Sequence, residues 1–198
     1  MIAIIDYGMG NLRSVQKAFE FLGFEAVITD DVNVIEKADK VVLPGVGAFC
    51  DAIKTIREKG IDKVLKTVVE NKTPLLGICL GMQMMFDKSY ENGECEGLGL
   101  ISGEVVRLPE TEKIPQIGWN NLNIKMRSPL FEGLGDEPYV YFVHSYYLET
   151  KAPVVSATCI YGKEIAVAAQ KDNIFALQFH PEKSGDTGLK ILENFGRL

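Results

Sequence analysis

The chain has 198 residues, 46% hydrophobic and 24% charged, with a net charge of -6 at neutral pH. That is enough for one α/β domain with a substantial core, so residues 1–198 are expected to form a single domain. The acidic balance argues against nucleic acid, and no apolar run approaches the roughly 20 residues that span a bilayer. With the N-terminus entering a strand directly and no secretory leader, the expectation is a soluble cytoplasmic protein without a membrane partner. The four cysteines, Cys50, Cys79, Cys95 and Cys159, show neither zinc spacing nor a disulfide framework.

Ile2 to Asp6 is a short apolar strand, and Tyr7 to Asn11 a turn. Leu12, Val15, Phe19 and Leu22 then fall at helical spacing, with Gly23 closing the helix. Phe24 to Thr29 is a second strand. Gly8 and Gly10 after a strand, with Asp30 about 20 residues on, partly match a dinucleotide fingerprint. Arg13 stands where its third glycine belongs, and a tight βα turn is the other reading. Val41 to Leu43 is a third strand, followed by Pro44-Gly-Val-Gly-Ala-Phe49. Two glycines at a strand end form either a plain turn or a loop whose backbone N–H groups can approach a ligand. Cys50 to Glu58 and Asp62 to Glu70 are helical, and Leu75 to Ile78 is a fourth strand ending at Cys79. A helical stretch, Leu80 to Asp87, follows at once. This alternation predicts a mostly parallel central sheet covered by helices on both faces, with ligands beyond the carboxyl ends of its strands.

After a polar loop, Tyr90 to Gly97, the pattern changes. Leu100 to Leu108, Leu122 to Lys125, Tyr139 to Leu148, Val154 to Tyr161 and Ile165 to Gln170 read as strands without long helices between them. They predict an antiparallel strand extension of the same domain. Trp119, the only tryptophan, reads more readily as core than as a contact. Ile174 to Phe179 is a last strand, and Thr187 to Leu198 an amphipathic helix with Leu189, Leu192 and Phe195 inward.

The chemistry gathers at two strand ends. Gly77-Ile-Cys79-Leu-Gly81 has the spacing of a nucleophile elbow with cysteine in place of serine. Alone, Cys79 could equally be a small core residue. A nucleophilic cysteine needs a base, and the base an orienting acid. The chain has only two histidines. His180-Pro-Glu182 would put His180 and Glu182 on one side of an extended segment, with Pro181 marking a strand end. His144 has no acid nearby in sequence and reads as a structural histidine lining the site. With oxyanion donors from the backbone of Leu80 and of the Gly45-Val46-Gly47 loop, the set has the parts of acyl-transfer catalysis.

Gly77-Ile-Cys-Leu-Gly-Met-Gln83 together with His180-Pro-Glu182 resembles the class I (triad) glutamine amidotransferases. Asp6 to Ser14, Leu43 to Phe49, Pro115 to Asn120, Tyr141 to Tyr146 and Gln178 to Ser184 extend the likeness over nearly the whole chain. They are similar to the glutaminase subunits of histidine biosynthesis, with no departure at a motif position. The resemblance implies a flavodoxin-like α/β fold and a Cys79–His180–Glu182 triad that hydrolyses L-glutamine to glutamate and ammonia. It implies oxyanion or substrate contacts at Val46, Gly47, Leu80, Gln83, Ser145 and Tyr146. No metal and no organic cofactor is required. It further implies a heterodimer with a (β/α)8-barrel cyclase subunit that receives the ammonia, with Asn11, Trp119 and Lys183 toward that partner. The rival readings are another class I amidotransferase subunit, a γ-glutamyl hydrolase, or a non-catalytic nucleotide-binding module built on Gly8 and Gly10.

Overall fold

The computed structural model describes residues 1–198. In chain order the elements begin β1 (Ile2–Ile5), α1 (Leu12–Phe21), β2 (Ala26–Thr29), α2 (Val32–Glu36), β3 (Lys40–Gly45), α3 (Phe49–Glu58) and α4 (Ile61–Glu70). Next come β4 (Leu75–Cys79), α5 (Leu80–Met84), β5 (Lys88–Ser89), β6 (Cys95–Glu96), β7 (Glu104–Arg107), β8 (Gln116–Asn121) and β9 (Asn123–Ile124). The chain ends with β10 (Tyr139–His144), β11 (Tyr146–Glu149), β12 (Val155–Tyr161), β13 (Lys163–Lys171), β14 (Ile174–Leu177) and α6 (Gly185–Gly196).

The main sheet runs β2-β1-β3-β4-β14-β13-β11-β7-β5-β6. Its first five strands are parallel, and β14, β13, β11 and β7 pair antiparallel in succession. This is the expected α/β architecture with its antiparallel extension. Apolar runs such as Ile2–Ile5 are buried on both sides because alternate residues enter different cores. Ile2 and Ile4 join Val15 and Phe19 of α1 and Ile191, Leu192 and Phe195 of α6. Ala3 and Ile5 join Ile53 and Ile56 of α3 and Val64, Leu65 and Val68 of α4. Helices therefore cover both faces. None of them is long and apolar enough to cross a membrane.

Several expectations need correction. Tyr139 to Leu148 is two strands, not one: β10 pairs with β8 in a separate two-stranded sheet, whereas β11 returns to the main sheet. Strand β8 had no sequence signal, because Gly118, Asn120 and Asn121 are poor strand formers. Helix α2 is too short for periodicity to reveal, although Asp31 caps it by accepting from the Asn33 N–H at 2.9 Å. Helix α5 stops at Met84, three residues short of Asp87, and the polar loop contains β6. In α6 the inward residues are Ile191, Leu192 and Phe195, with Leu189 only partly buried. Cys50 and Cys95 form a disulfide across 45 residues, against the expectation of none. Their spacing carries no motif, so only the packing of α3 against β6 reveals the pair.

Strand β4 turns into α5 directly against the end of β3. A Cβ on Gly81 would fall inside the Leu43 carbonyl, and one on Gly77 would lie 2.8 Å from Met82 Cα. Gly81→Ala is therefore expected to destabilise the chain by about 1–3 kcal/mol. That is a fall in melting temperature on the order of 2–10 °C for a chain of this size. Gly135→Ala, whose added methyl meets nothing within 4 Å, is the matched control and should melt with the parent.

Candidate active site

Cys79 is the last residue of β4 and has φ 55° and ψ -113°, a left-handed conformation that non-glycine residues rarely adopt. Such strain persists only where the surroundings enforce it, and it marks a nucleophile elbow. It turns the thiol out of the sheet toward a cavity. Beside it, Gly45 pairs with Cys79 in the parallel ladder. The loop beyond Gly45 leaves the N–H groups of Val46 and Gly47 without a partner in the protein. The Leu80 N–H, first of α5, faces the Gly45 carbonyl where the β3–β4 ladder ends. Two unpaired backbone donors thus lie in a loop that lines the cavity over the thiol.

His180 arrives on the neighbouring strand. β14 ends at Leu177, and the His180 N–H donates to the Tyr141 carbonyl at 3.0 Å. Pro181–Lys183 is a 3-10 turn, so it is a tight turn and not an extended segment that brings His180 and Glu182 together. The Ser184 hydroxyl locks this turn by donating to the His180 carbonyl at 2.6 Å. His180 Nδ1 lies 2.9 Å from Glu182 Oε1, with both side chains buried. Nδ1–H thus donates to the carboxylate, which leaves Nε2 for Cys79. Burial alone would lower the His180 pKa, but hydrogen bonds with Cys79 and Glu182 outweigh it and push it up to about 10. The Gln178 amide also points at the Cys79 sulfur, at 3.8 Å. Gln83 donates to Gln178 Oε1 at 2.9 Å and to the Tyr146 carbonyl at 3.1 Å, tying α5 to β14 and β11.

The cavity over Cys79 has a volume of about 340 Å³, within the range of small-molecule sites. Its lining brings together Val46, Gly47, Cys79, Leu80, Gln83, Ser145, Tyr146 and His180, all named from the sequence. Glu182 stands behind His180. Lys183, expected toward a partner, also lines the cavity. Asn11 lies outside it and accepts from the Ser14 hydroxyl at 2.9 Å, closing a local turn. Trp119 is 55% exposed on β8, so the core reading of this residue is wrong. Gly8 and Gly10 border no cavity, which leaves the tight-turn reading of that segment. No group of three or more metal-ligating side chains gathers anywhere in the chain.

Three lining residues were missed: Glu91, Pro115 and Val143. Glu91 belongs to the stretch set aside as a polar loop. Its carboxylate accepts from the Phe49 N–H at 2.8 Å, next to the Cys50–Cys95 link. No local pattern announces such a contact. His144 is buried, with Nδ1 2.8 Å from the Tyr146 carbonyl and Nε2 2.8 Å from the Gln116 side chain. Burial lowers its pKa to about 4, so the ring is neutral and carries a single proton shared between two acceptors, the Tyr146 carbonyl and Gln116 Oε1.

The family model for class I glutamine amidotransferases matches residues 3–197. The chain belongs to the class I glutamine amidotransferases. It is 52% identical to a protein of Caldanaerobacter subterraneus subsp. tengcongensis over 199 residues, covering 100% of this chain and 98% of that one. It is 52% identical to one of Aquifex aeolicus over 98% of this chain and 95% of that one. Both relatives are named imidazole glycerol phosphate synthase subunit HisH. Among solved structures the fold is similar to that of PurLQS from Thermotoga maritima, with a TM-score of 0.80, 20% identity and coverage of 98% and 96%. It is also similar to a crystal structure of a glutamine amidotransferase, with a TM-score of 0.77, 23% identity and coverage of 99% and 100%.

In this amidotransferase the two histidines are pushed in opposite directions from 6.5, which makes both separately observable. Because the His180 pKa is raised on folding, its stabilisation is complete below about pH 6.5 and is lost as the pH rises through about 10. NMR titration of the two rings should show one midpoint near 10, the other near 4 and none near 6.5. Glu182→Gln should move the upper midpoint to lower pH and leave the lower one in place. A His180 midpoint that ignores this substitution would contradict the assignment.

Proposed function

We propose that this chain is the glutaminase subunit of imidazole glycerol phosphate synthase. In this reading it hydrolyses L-glutamine and delivers ammonia to a (β/α)8-barrel cyclase subunit. The observation that carries the chemistry is the strained Cys79 beside the buried His180–Glu182 pair, with the unpaired N–H groups of Val46 and Gly47 and the first turn of α5 beside it. Full-length relatives at about half identity support the choice of pathway.

Cys79 sulfur attacks the side-chain amide carbon of glutamine. The negative charge that develops on the amide oxygen is held by the Leu80 N–H and by an N–H of the Val46–Gly47 segment. His180 passes a proton to the departing nitrogen, ammonia leaves, and a thioester remains. Water activated by His180 then attacks the thioester, releasing glutamate and restoring the thiol. Glu182 keeps Nδ1 protonated and compensates the imidazolium. Glu91 is the carboxylate of the cavity. One of its oxygens is bound to the Phe49 N–H, and the other is available to the α-ammonium of glutamine.

A partner follows from the chemistry and from the surface. Ammonia released into water is largely protonated near neutral pH and no longer nucleophilic. In the β8–β10 pair, Trp119 faces Tyr141 and Ile117 faces Val143 on the same side. Ile117, Trp119 and Tyr139 are exposed there, while Val143 reaches the cavity. An apolar stripe that runs to the mouth of a catalytic cavity is suited to being covered by another protein. Trp119 and Lys183 are the residues assigned to that contact, with Asn11 at its edge.

Cys79→Ala should abolish glutamine-dependent product formation by the reconstituted pair and leave its use of added ammonium salt intact. The isolated chain should hydrolyse glutamine slowly. Cyclase with its nucleotide ligand should accelerate glutamate release by at least about a hundred-fold, the scale of one oxyanion donor. Trp119→Ala should reduce this stimulation more than it raises KM for glutamine. Glutamate release measured for the chain alone, with cyclase and with cyclase plus ligand decides the matter, and three equal rates would overturn the proposal.

A further inference from the structure

Tyr7, just past β1, has a fully enclosed side chain at 1% exposure. Its ring packs in the same core as Ile5, Leu43 and Leu80, where phenylalanine would serve equally well. Its hydroxyl, however, has no hydrogen-bond partner. A buried donor without an acceptor is costly and rare in folded proteins. The position of this hydroxyl is informative. A Cβ built on Gly45 would overlap Tyr7 Oη, and would lie 2.9 Å from the Gly81 nitrogen and 3.0 Å from Leu80 Cβ. The hydroxyl therefore occupies the slot left by the missing Gly45 side chain. It lies between the end of β3 and the first turn of α5, behind the loop that lines the cavity over Cys79. Burial and the nearby Cys79 raise the phenol pKa well above its ordinary value, so the group stays a donor throughout the working pH range.

The acceptor it lacks is one peptide unit away. In the Gly45–Val46 peptide the carbonyl and the N–H point in opposite directions. The Gly45 carbonyl faces the Leu80 N–H at the end of the β3–β4 ladder, and turning the Val46 N–H into the cavity swings that carbonyl off Leu80 and through the direction of the missing Gly45 Cβ, where Tyr7 Oη lies. Gly45 has no Cβ to obstruct the rotation, and beyond it Gly47 holds φ 105°. We propose that Tyr7 is a positioning residue for glutamine hydrolysis: its hydroxyl donates to the Gly45 carbonyl and so holds the Val46 N–H in the orientation that stabilises the oxyanion. Tyr7 touches neither substrate nor reacting atoms and acts through the loop. The inference rests on the glutaminase reading given above.

One such hydrogen bond weights the two loop orientations on the order of ten-fold. The test is Tyr7→Phe in the complete two-subunit enzyme with the cyclase ligand bound, with rates expressed per mole of Cys79 thiol titrated by iodoacetamide. The expected result is a fall in kcat for glutamine hydrolysis on the order of ten-fold, with KM for glutamine and the ammonium-dependent reaction unchanged. The melting temperature should be equal or higher, because the variant deletes an unpaired buried hydroxyl. A merely structural Tyr7 would instead leave kcat per titrated thiol unaltered. If the parent hydrolyses glutamine and Tyr7→Phe matches its stimulated kcat, the positioning role is overturned while the glutaminase reading stands. A parent enzyme that does not hydrolyse glutamine overturns both.

Discussion

Three parallel strands end at the same level, and the site depends on that register. Gly45 of β3 is level with Cys79 of β4, and Leu177 of β14 is level with Ile78. Side chains and backbone donors that leave these strands therefore emerge at one rim, within reach of a single bound molecule. The register is held by residues too small to separate the strands from α5. At Gly81 any side chain would meet the Leu43 carbonyl, and at Gly45 it would meet Tyr7 and the α5 backbone. The strained backbone of Cys79 is tolerated because β3 and α5 clamp it from two sides, and the packing of a large core offsets its cost.

The two histidines show how the same ring acquires opposite electrostatics a short distance apart. Both are buried. His180 has a carboxylate on Nδ1 and a thiol on its other side, so the charged form is favoured in spite of desolvation. His144 faces a carbonyl and an amide, neutral groups that do not overcome the same penalty, and the His180 charge opposes a second proton. The cavity consequently holds one imidazolium beside Cys79 and one neutral wall. Two adjacent cations would repel each other and disrupt the thiol's environment.

The antiparallel half supplies the other side of the cavity. At Ser145 the chain leaves the β8–β10 pair and joins the main sheet as β11. This switch aims Val143, His144, Ser145 and Tyr146 over the elbow and leaves the outer side of β8 bare. The segment between α5 and β7 contributes Glu91, held to the start of α3 by a backbone hydrogen bond and by the Cys50–Cys95 disulfide. The helix that follows the Gly45–Gly47 loop and the carboxylate of the cavity are thus joined covalently to one another.

Much of this was legible in the chain itself. The elbow spacing around Cys79, the His180-Pro-Glu182 segment and the glycines at 45 and 47 are local patterns, and local patterns survive without a fold. Alternation of short apolar runs with helical periods likewise gave the parallel half, since period and burial are set residue by residue. What the tertiary structure decided was every feature that depends on two distant segments meeting. Glu91 reaches the cavity only because residues 88–97 lie against α3, and Cys50 finds Cys95 for the same reason. Gly118, Asn120 and Asn121 become a strand only because Tyr139–His144 offers a free edge. Trp119 is exposed because it shares the outer face of β8 with Ile117, which a lone tryptophan in a sequence does not reveal. The unpaired Tyr7 hydroxyl exists only where β1, β3 and α5 converge. The physical reason is common to all five: long-range contacts are fixed by packing and register, and neither is encoded within the span of a motif.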